Sequence, residues 1–255
     1  MYNRILVLSV CFTMVFVISC KNEKRSHPPN LSKVKIDTIY NFNPGYDIPK
    51  APSRVQLTNI VEKTIPAIKK ATLSDLPSVY DYIHKLSKYP DVVEILIEQY
   101  QKELRQNYDE RAFILGIIGE MQRPDAFPFF REIAWSPLPK PENVIDNMSD
   151  RQKEEIVVVK SVQGIAYLRS KEAFDEIIKI ILKHESYHVK ISAIDTYMWN
   201  SGDTKEAADT LIKLIPSDLH KYIYRPRFTR EMDAKEFNMK TEAWLKKWAK
   251  TSKGK

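Results

Sequence analysis

Two histidines and a glutamate in the stretch KHESYHVK, residues 183–190, have the spacing of a zinc peptidase motif. His184, Glu185 and His188 spell HExxH. On one continuous helix, both imidazoles face the same side and bind the metal, while the carboxylate lies beside the metal-bound water that attacks a peptide bond. A third ligand is also needed, and a distant carboxylate such as Glu206 is the candidate for it.

The rest of the chain offers little catalytic chemistry. It holds two cysteines, Cys11 and Cys20, and neither G-x-S-x-G nor a phosphate-binding glycine loop. His27, His84 and His220 have no obvious nucleophile as a partner. Apart from HExxH, the sequence therefore predicts a protein that is not an enzyme and that uses no cofactor.

The first nineteen residues have the layout of a secretory signal peptide. Arg4 precedes an apolar run at residues 5–18, which is shorter than the roughly 20 residues of a membrane span. The chain turns polar at Lys21 and stays so. We therefore expect residues 1–19 to be removed on export. The alternatives are an uncleaved anchor and an apolar start to a cytoplasmic domain.

Four residues at the end of this run predict a lipid anchor. Val17-Ile18-Ser19-Cys20 resembles the bacterial lipobox, in which an aliphatic pair and a small residue precede a cysteine. The resemblance implies that Cys20 is acylated and becomes the first residue of the mature chain, held on a membrane by several acyl chains. Lys21 stands where some lipoproteins carry an aspartate that retains them at the inner membrane. It therefore favours the outer membrane of a bacterial cell envelope.

Residues 20–54 are expected to form an extended tether between the lipid and the folded part, because they carry five prolines and little periodicity. Part of the tether is expected to pack against the first helices. The apolar side chains that favour such packing are Ile36, Ile39, Tyr40 and Phe42.

The positive charge of the chain is concentrated at its C-terminal end. The net charge is +7, and residues 240–255 alone hold six lysines and one glutamate. A basic tail of this kind does not indicate a nucleic-acid groove running through the fold. No nucleic-acid partner is therefore expected.

From residue 56 onward, apolar residues recur at spacings of three and four, as in amphipathic helices. No stretch alternates apolar and polar residues for long enough to require a sheet, so the predicted fold class is all-α. The predicted helices cover 58–71, 76–88, 91–106, 110–122, 125–135, 153–168, 172–183, 187–199, 204–215 and 233–250.

Three segments align with one another as an internal repeat, and they start at Asp109, Val158 and His188. Each has a basic residue in its first turn, then an apolar helix, a polar turn and an acidic–alanine pair. The basic residues are Arg111, Lys160 and Lys190, and the pairs are Asp125-Ala126, Glu172-Ala173 and Glu206-Ala207. Gly116 and Gly164 lie inside two of the first helices, where neighbouring backbones are expected to come close.

This pattern resembles HEAT-type helical repeats. The resemblance implies an α-solenoid of stacked antiparallel helix pairs over residues 55–230, interrupted by a proline-rich insertion at 136–152. Residues 231–255 are then expected to form a capping helix and a basic tail. The apolar stripe of that helix consists of Phe237, Trp244 and Trp248.

In the register of the repeat, HESYH is the corner between two helices, which would point His184 and His188 apart. Lys190 is also charged where the zinc motif usually has an apolar residue. No glycine or proline lies between Lys171 and Ser201, however, so one continuous helix is also compatible with the sequence. Zinc analysis of the purified protein and of a His188→Ala variant separates the two interpretations.

The segment LHKYIYRPRFTRE, residues 219–231, interleaves basic and aromatic side chains, a mixture found in protein-binding hot spots. This elbow folds the last helix over the end of the solenoid, contacts a protein or an anionic ligand, or binds nucleic acid, which an exported, lipid-held protein rarely meets. Its candidate partner-binding residues are Tyr222, Tyr224, Arg225, Arg227, Phe228 and Arg230.

The sequence therefore favours a lipid-anchored scaffold of the cell envelope that binds another envelope or exported protein, with contacts at 136–152 and 219–231. A more specific version is an envelope inhibitor or immunity protein that caps a toxin or an enzyme. The alternatives are a zinc-dependent peptidase acting through residues 184–188 and a purely structural spacer.

Overall fold

The computed structural model describes residues 48–72, 75–140, 148–227 and 234–251. Within these ranges it holds eleven α-helices, two short 3₁₀ helices and no strand, so the predicted all-α class is confirmed. None of the helices in the same ranges has both the length and the apolarity needed to cross a membrane. The predicted signal peptide, Cys20 and most of the tether lie outside the described residues.

All ten predicted helices are present, with ends within four residues of the predicted ones. The helices are α1 Arg54–Lys70, α2 Leu76–Leu86, α3 Val92–Lys102, α4 Tyr108–Glu120, α5 Phe127–Ala134, α6 Asp150–Tyr167, α7 Lys171–Lys183, α8 Tyr187–Asn200, α9 Lys205–Leu214, α10 His220–Ile223 and α11 Ala234–Thr251. The short α10 is absent from the predicted set, because a single turn is too short to show a helical period in the sequence.

The chain divides into two compact units, residues 1–88 and 89–255. In the first unit, α1 begins with a capping box: Ser53 Oγ accepts from the Gln56 N–H, and the Gln56 side chain accepts from the Ser53 N–H. The buried side chains of α1 and α2 recur every three or four residues. The boundary between the units lies inside 55–230, the range that the sequence assigns to one repeat domain.

Helix α6 lies at the centre of the second unit. It packs most extensively against α4, and it also contacts α5, α7 and α8. Because neighbours surround it, α6 buries apolar side chains on more than one face. The apolar residues of α6 with no exposed surface are Val157, Val158, Val162, Ile165 and Ala166.

In each of the three repeat copies, the turn between the first and the second helix contains a residue with a positive φ angle. Gln122, Arg169 and Asp203 have positive φ angles of 52°, 50° and 54°. Each lies four residues before the alanine of its acidic–alanine pair, and all three alanines are buried. A left-handed residue ends the first helix and reverses the chain, and the small alanine allows close packing at the start of the second. The repeat in the sequence therefore corresponds to a repeated turn.

Replacing Gln122 by glycine is expected to stabilise the protein by about 0.5–1 kcal/mol. The side chain is exposed, and a left-handed backbone is strained for any residue with a Cβ atom. Gln122→Val, which carries a branched Cβ, is expected to destabilise the protein instead. Thermal unfolding of both variants measures the effect, and equal melting temperatures would contradict it.

Helices α4 and α6 come close together at two glycines. A Cβ atom on Gly119 would lie 3.4 Å from Gly164 Cα, and a Cβ atom on Gly164 would lie 2.4 Å from Phe130 Cζ. The close packing predicted for Gly164 is therefore confirmed. The prediction for Gly116 is wrong, because nothing lies within 4 Å of a Cβ atom there. Gly119, three residues further along the helix, occupies the face that meets α6.

A buried ion pair joins the N-terminal part of α6 to α4. Glu154 is 1% exposed, and its two carboxylate oxygens accept from Arg111 Nη1 at 2.7 Å and Nη2 at 2.8 Å. The Arg111 guanidinium also donates to the Tyr100 hydroxyl and to the Arg105 carbonyl. The basic residue in the first turn of one repeat copy thus binds the first helix of the next.

Candidate functional site

The HESYH segment forms the corner between α7 and α8 that the repeat register predicts. Helix α7 ends at Lys183, and His184 already has extended backbone angles, with φ −63° and ψ 142°. Ser186 caps α8, since its Oγ accepts from the Val189 N–H at 3.3 Å. The two histidines therefore do not share one face of a continuous helix. Glu206, the candidate third zinc ligand, lies in the first turn of α9.

His184 is buried at this corner, with 3% of its surface exposed. Its Nδ1 accepts from the Ser186 N–H at 3.0 Å, and the ring also hydrogen-bonds to the backbone of Ala134. The ring centroid lies 5.8 Å from that of Trp135. Burial lowers the pKa of His184, which favours the neutral ring. His184 thus ties the corner to the end of α5.

The other two residues of the motif have different partners. His188 Nδ1 lies 3.4 Å from Glu155 Oε2, and Glu155 also accepts from Ser186 Oγ at 2.7 Å. Glu185 is exposed, with Oε1 3.9 Å from Arg151 Nη2. The structure therefore does not bring the three motif residues together around a common point. Across the described part of the chain, no group of three or more His, Cys, Asp or Glu residues is arranged to hold a metal ion.

Glu155 makes this corner sensitive to acid. Burial raises the pKa of its carboxyl, but hydrogen bonds from His188 and Ser186, together with the charges of His188 and Arg151, outweigh that effect and leave the pKa below its usual value. A carboxyl with a lowered folded-state pKa stabilises the fold above its unfolded pKa of about 4.5. That stabilisation is lost as the pH falls through the lower folded-state value.

We expect Glu155→Gln to lower the melting temperature at pH 7 and to differ less from the unmutated protein as the pH falls below about 4.5. Melting curves between pH 7 and pH 3 measure the difference. Glu132→Gln, at an exposed position of α5, is the matched control and should change the profile little. A Glu155→Gln difference that stays constant across this range would contradict the prediction.

Two arginines of the elbow, Arg225 and Arg227, face inward. Arg227 is 9% exposed, and its guanidinium lies 3.2 Å from Asp195 on α8 and 2.8 Å from Asp203 in the turn that follows. It also donates to three backbone carbonyls within the elbow. Arg225 lies 3.3 Å from the same Asp195 carboxylate. These two candidate partner-binding residues therefore fasten the elbow to α8.

The aromatic residues of the elbow meet rings from two other parts of the chain. Tyr222 packs edge-on against Tyr187, with centroids 5.9 Å apart and planes at 76°, and it lies 6.2 Å from Trp244 of α11. Trp244 Nε1 also donates to the Lys221 carbonyl at 2.9 Å. The HESYH corner, the elbow and the last helix thus meet at one set of rings.

Two lysines lie over this set of rings. Lys221 Nζ is 4.9 Å from the Tyr222 ring centroid, and Lys247 Nζ is 5.9 Å from that of Tyr224. Tyr187 and Tyr224 are about half exposed, at 46% and 50%. We call this surface the aromatic–lysine cluster and define it by Tyr187, Lys221, Tyr222, Tyr224, Trp244 and Lys247.

The other predicted contacts are described in part. Outside the described residues are Phe228, Arg230 and residues 141–147 of the insertion. Before that gap, Arg105 Nη2 and Arg151 Nη1 donate to the carbonyls of Pro137 and Pro139. The start of the insertion is thus fastened to the second unit.

Four of the six residues of the cluster are absent from the predicted binding residues, and of these only Lys221 lies in the elbow. Tyr187 belongs to a motif with a different candidate role, Trp244 is assigned to an apolar stripe, and Lys247 lies in a run of lysines. Their common position depends on contacts between segments that are far apart in the chain.

Comparison with known proteins finds no family model, no curated protein and no solved structure that matches the chain.

Proposed function

We propose that the chain is a lipid-anchored protein of the bacterial cell envelope, held at the outer membrane through Cys20, that binds another envelope or exported protein. In this proposal its helix pairs stack as a HEAT-like α-solenoid. Two observations support the stacking: the left-handed residue at the same place in each turn (Gln122, Arg169 and Asp203), and the packing of α6 against both α4 and α8.

The aromatic–lysine cluster is the observation that carries the binding role. Tyrosine and tryptophan are enriched in interface hot spots, because their rings bury a large apolar area and still offer a hydrogen-bonding group. The half-exposed Tyr187 and Tyr224 leave ring surface for a partner. Rings that are already held by their neighbours lose little conformational entropy when a partner binds.

The contacts of the HESYH corner favour this binding role over a peptidase. His184 uses its ring nitrogens inside the fold, and His188 faces Glu155. Binding of zinc by the motif would require those contacts to break and α7 and α8 to join into one helix. A scaffold needs no such rearrangement.

Photocrosslinking in intact cells tests the proposal. A benzophenone amino acid replaces Tyr224 in the full chain, and in a control it replaces Trp199, which is 47% exposed and lies at the opposite end of α8 from Tyr187. We expect a discrete protein adduct from position 224 and none from position 199. No adduct at 224, or the same adducts at both positions, would overturn the binding role.

The anchor is tested separately. Cys20→Ala is expected to move the protein from the membrane fraction to the soluble fraction of lysed cells, since the acyl chains would be lost. A variant that stays with the membrane would overturn the lipid anchor without affecting the binding role.

A further inference from the structure

We infer that the aromatic–lysine cluster binds an acidic segment of the partner, whose carboxylates pair with Lys221 and Lys247 while its apolar side chains lie against the tyrosine rings. This inference rests on the proposed function and adds the chemistry of the partner to it.

The two ammonium groups are held in position by aromatic rings. Lys221 Nζ lies 4.9 Å from the Tyr222 centroid, and Lys247 Nζ lies 5.9 Å from that of Tyr224 and 5.3 Å from that of Trp248. A lysine that already packs on rings gives up less rotamer freedom on binding than one that extends freely into water. Neither lysine has an ion pair with a carboxylate in the described residues, so both positive charges are available to a partner.

The two elbow arginines that the structure describes are already paired with carboxylates, so they do not compete with the lysines for an acidic segment. Arg225 and Arg227 are neutralised by Asp195 and Asp203. The excess positive charge at this end of the chain therefore comes from lysines, of which residues 240–255 hold six against one glutamate. Such an excess attracts a negatively charged partner and speeds its association.

The charge pattern also orients the partner. The pKa of Tyr187 is raised by burial, by its hydrogen bond with Tyr222 and by the nearby carboxylate of Asp218. Because Asp218 repels other carboxylates, the acidic groups of the partner are expected to stay beside Lys221 and Lys247, away from the Tyr187 ring. The Tyr187 end is then left for apolar contacts.

An anionic membrane has the same charge as an acidic segment, but the outward side of α11 disfavours it. Glu236 lies 2.7 Å from Lys240, and Glu242 lies 3.7 Å from Lys246, each pair one turn apart. Helices that lie on anionic membranes present an uninterrupted basic face, and these carboxylates would be repelled by the lipid headgroups. A protein segment that contacts only the cluster avoids that repulsion.

The adduct formed at position 224 tests the inference. Mass spectrometry of the adduct identifies the crosslinked segment of the partner, and we expect acidic residues to outnumber basic ones within about ten residues of the crosslink. A synthetic fluorescent copy of that segment is then titrated against the purified mature chain. We expect its affinity to fall as salt is added, because exposed charge pairs are screened.

Matched lysine variants locate the interaction. Lys247→Gln should weaken binding of the synthetic segment by about fivefold, the scale of one partly exposed ion pair. Lys213→Gln, at an exposed position of α9, should leave the affinity unchanged. Circular dichroism of both variants confirms that the helices are intact.

Four results would overturn the inference. A neutral or basic crosslinked segment, or equal affinities of the two lysine variants, would remove the acidic partner and leave the proposed binding role standing. If Lys247→Gln weakens binding to phosphatidylglycerol vesicles but not binding to the synthetic segment, the cluster binds a membrane instead of an acidic segment. No adduct at position 224 would overturn the proposed function, and the inference with it.

Discussion

Gly164→Ala is expected to lower the free energy of unfolding by about 3 kcal/mol, at the upper end of the cost of overpacking a core. The added methyl group would lie 2.4 Å from Phe130 Cζ, and Phe130 has no exposed surface through which its ring could move aside. For a protein of this size, the melting temperature should fall by roughly 6–12 °C. Urea and thermal unfolding measure the two quantities.

The same substitution at Gly116 is the control. A Cβ atom there meets nothing within 4 Å, so Gly116→Ala should stabilise α4 by about 0.5–1 kcal/mol through the higher helix propensity of alanine. Replacing Phe130 by the smaller leucine should make room for the added methyl group and so reduce the destabilisation caused by Gly164→Ala. The double variant should then lose less stability than the sum of the losses in the two single variants. Equal effects at the two glycines would contradict the packing described for Gly164.

Glu154→Gln is expected to cost about 3–5 kcal/mol, because it leaves the buried guanidinium of Arg111 without its counter-charge. The two side chains are only 1% and 9% exposed, so water cannot replace the lost partner. Chemical unfolding of the variant measures the loss. Asp175→Asn, which removes a carboxylate from an exposed ion pair with Lys171, is the matched control and should change stability little.

Removing both charges separates the cost of an unpaired ion from the value of the pair. Arg111→Met combined with Glu154→Leu is expected to be more stable than either single variant, since no uncompensated charge then remains in the core. A double variant less stable than both single ones would show that the ion pair itself supplies the stability.

The helices and the corner at HESYH could be predicted because their signals are local. An apolar period marks each helix, and Ser186, four residues before Lys190, supplies the cap that starts α8. The repeat adds a second local signal, since the alanine of each acidic–alanine pair lies four residues after a left-handed residue in the preceding turn. The HEAT-like stacking, the lipid anchor and the binding role stay predictions.

Contacts between elements could not be predicted in the same way. Tyr224 and Arg227 lie three residues apart in one basic and aromatic segment, yet Tyr224 is half exposed and Arg227 is buried against Asp195. Gly116 and Gly119 differ in the same manner, since one faces open space and the other faces Gly164. In each case the outcome depends on a partner from a distant part of the chain, which one sequence does not identify.

Two adjacent carboxylates fix the rotational phase of α6. Glu154 binds Arg111 on α4, and Glu155 binds Ser186 and His188 at the start of α8. One residue inserted between this pair and Gly164 would rotate the later part of the helix by about 100° about the helix axis relative to the earlier part. The carboxylates and the glycine could then not both face their partners. Length changes in the loop ahead of α6 leave that phase intact. Across related sequences, gaps should therefore accumulate before the helix and be absent within it.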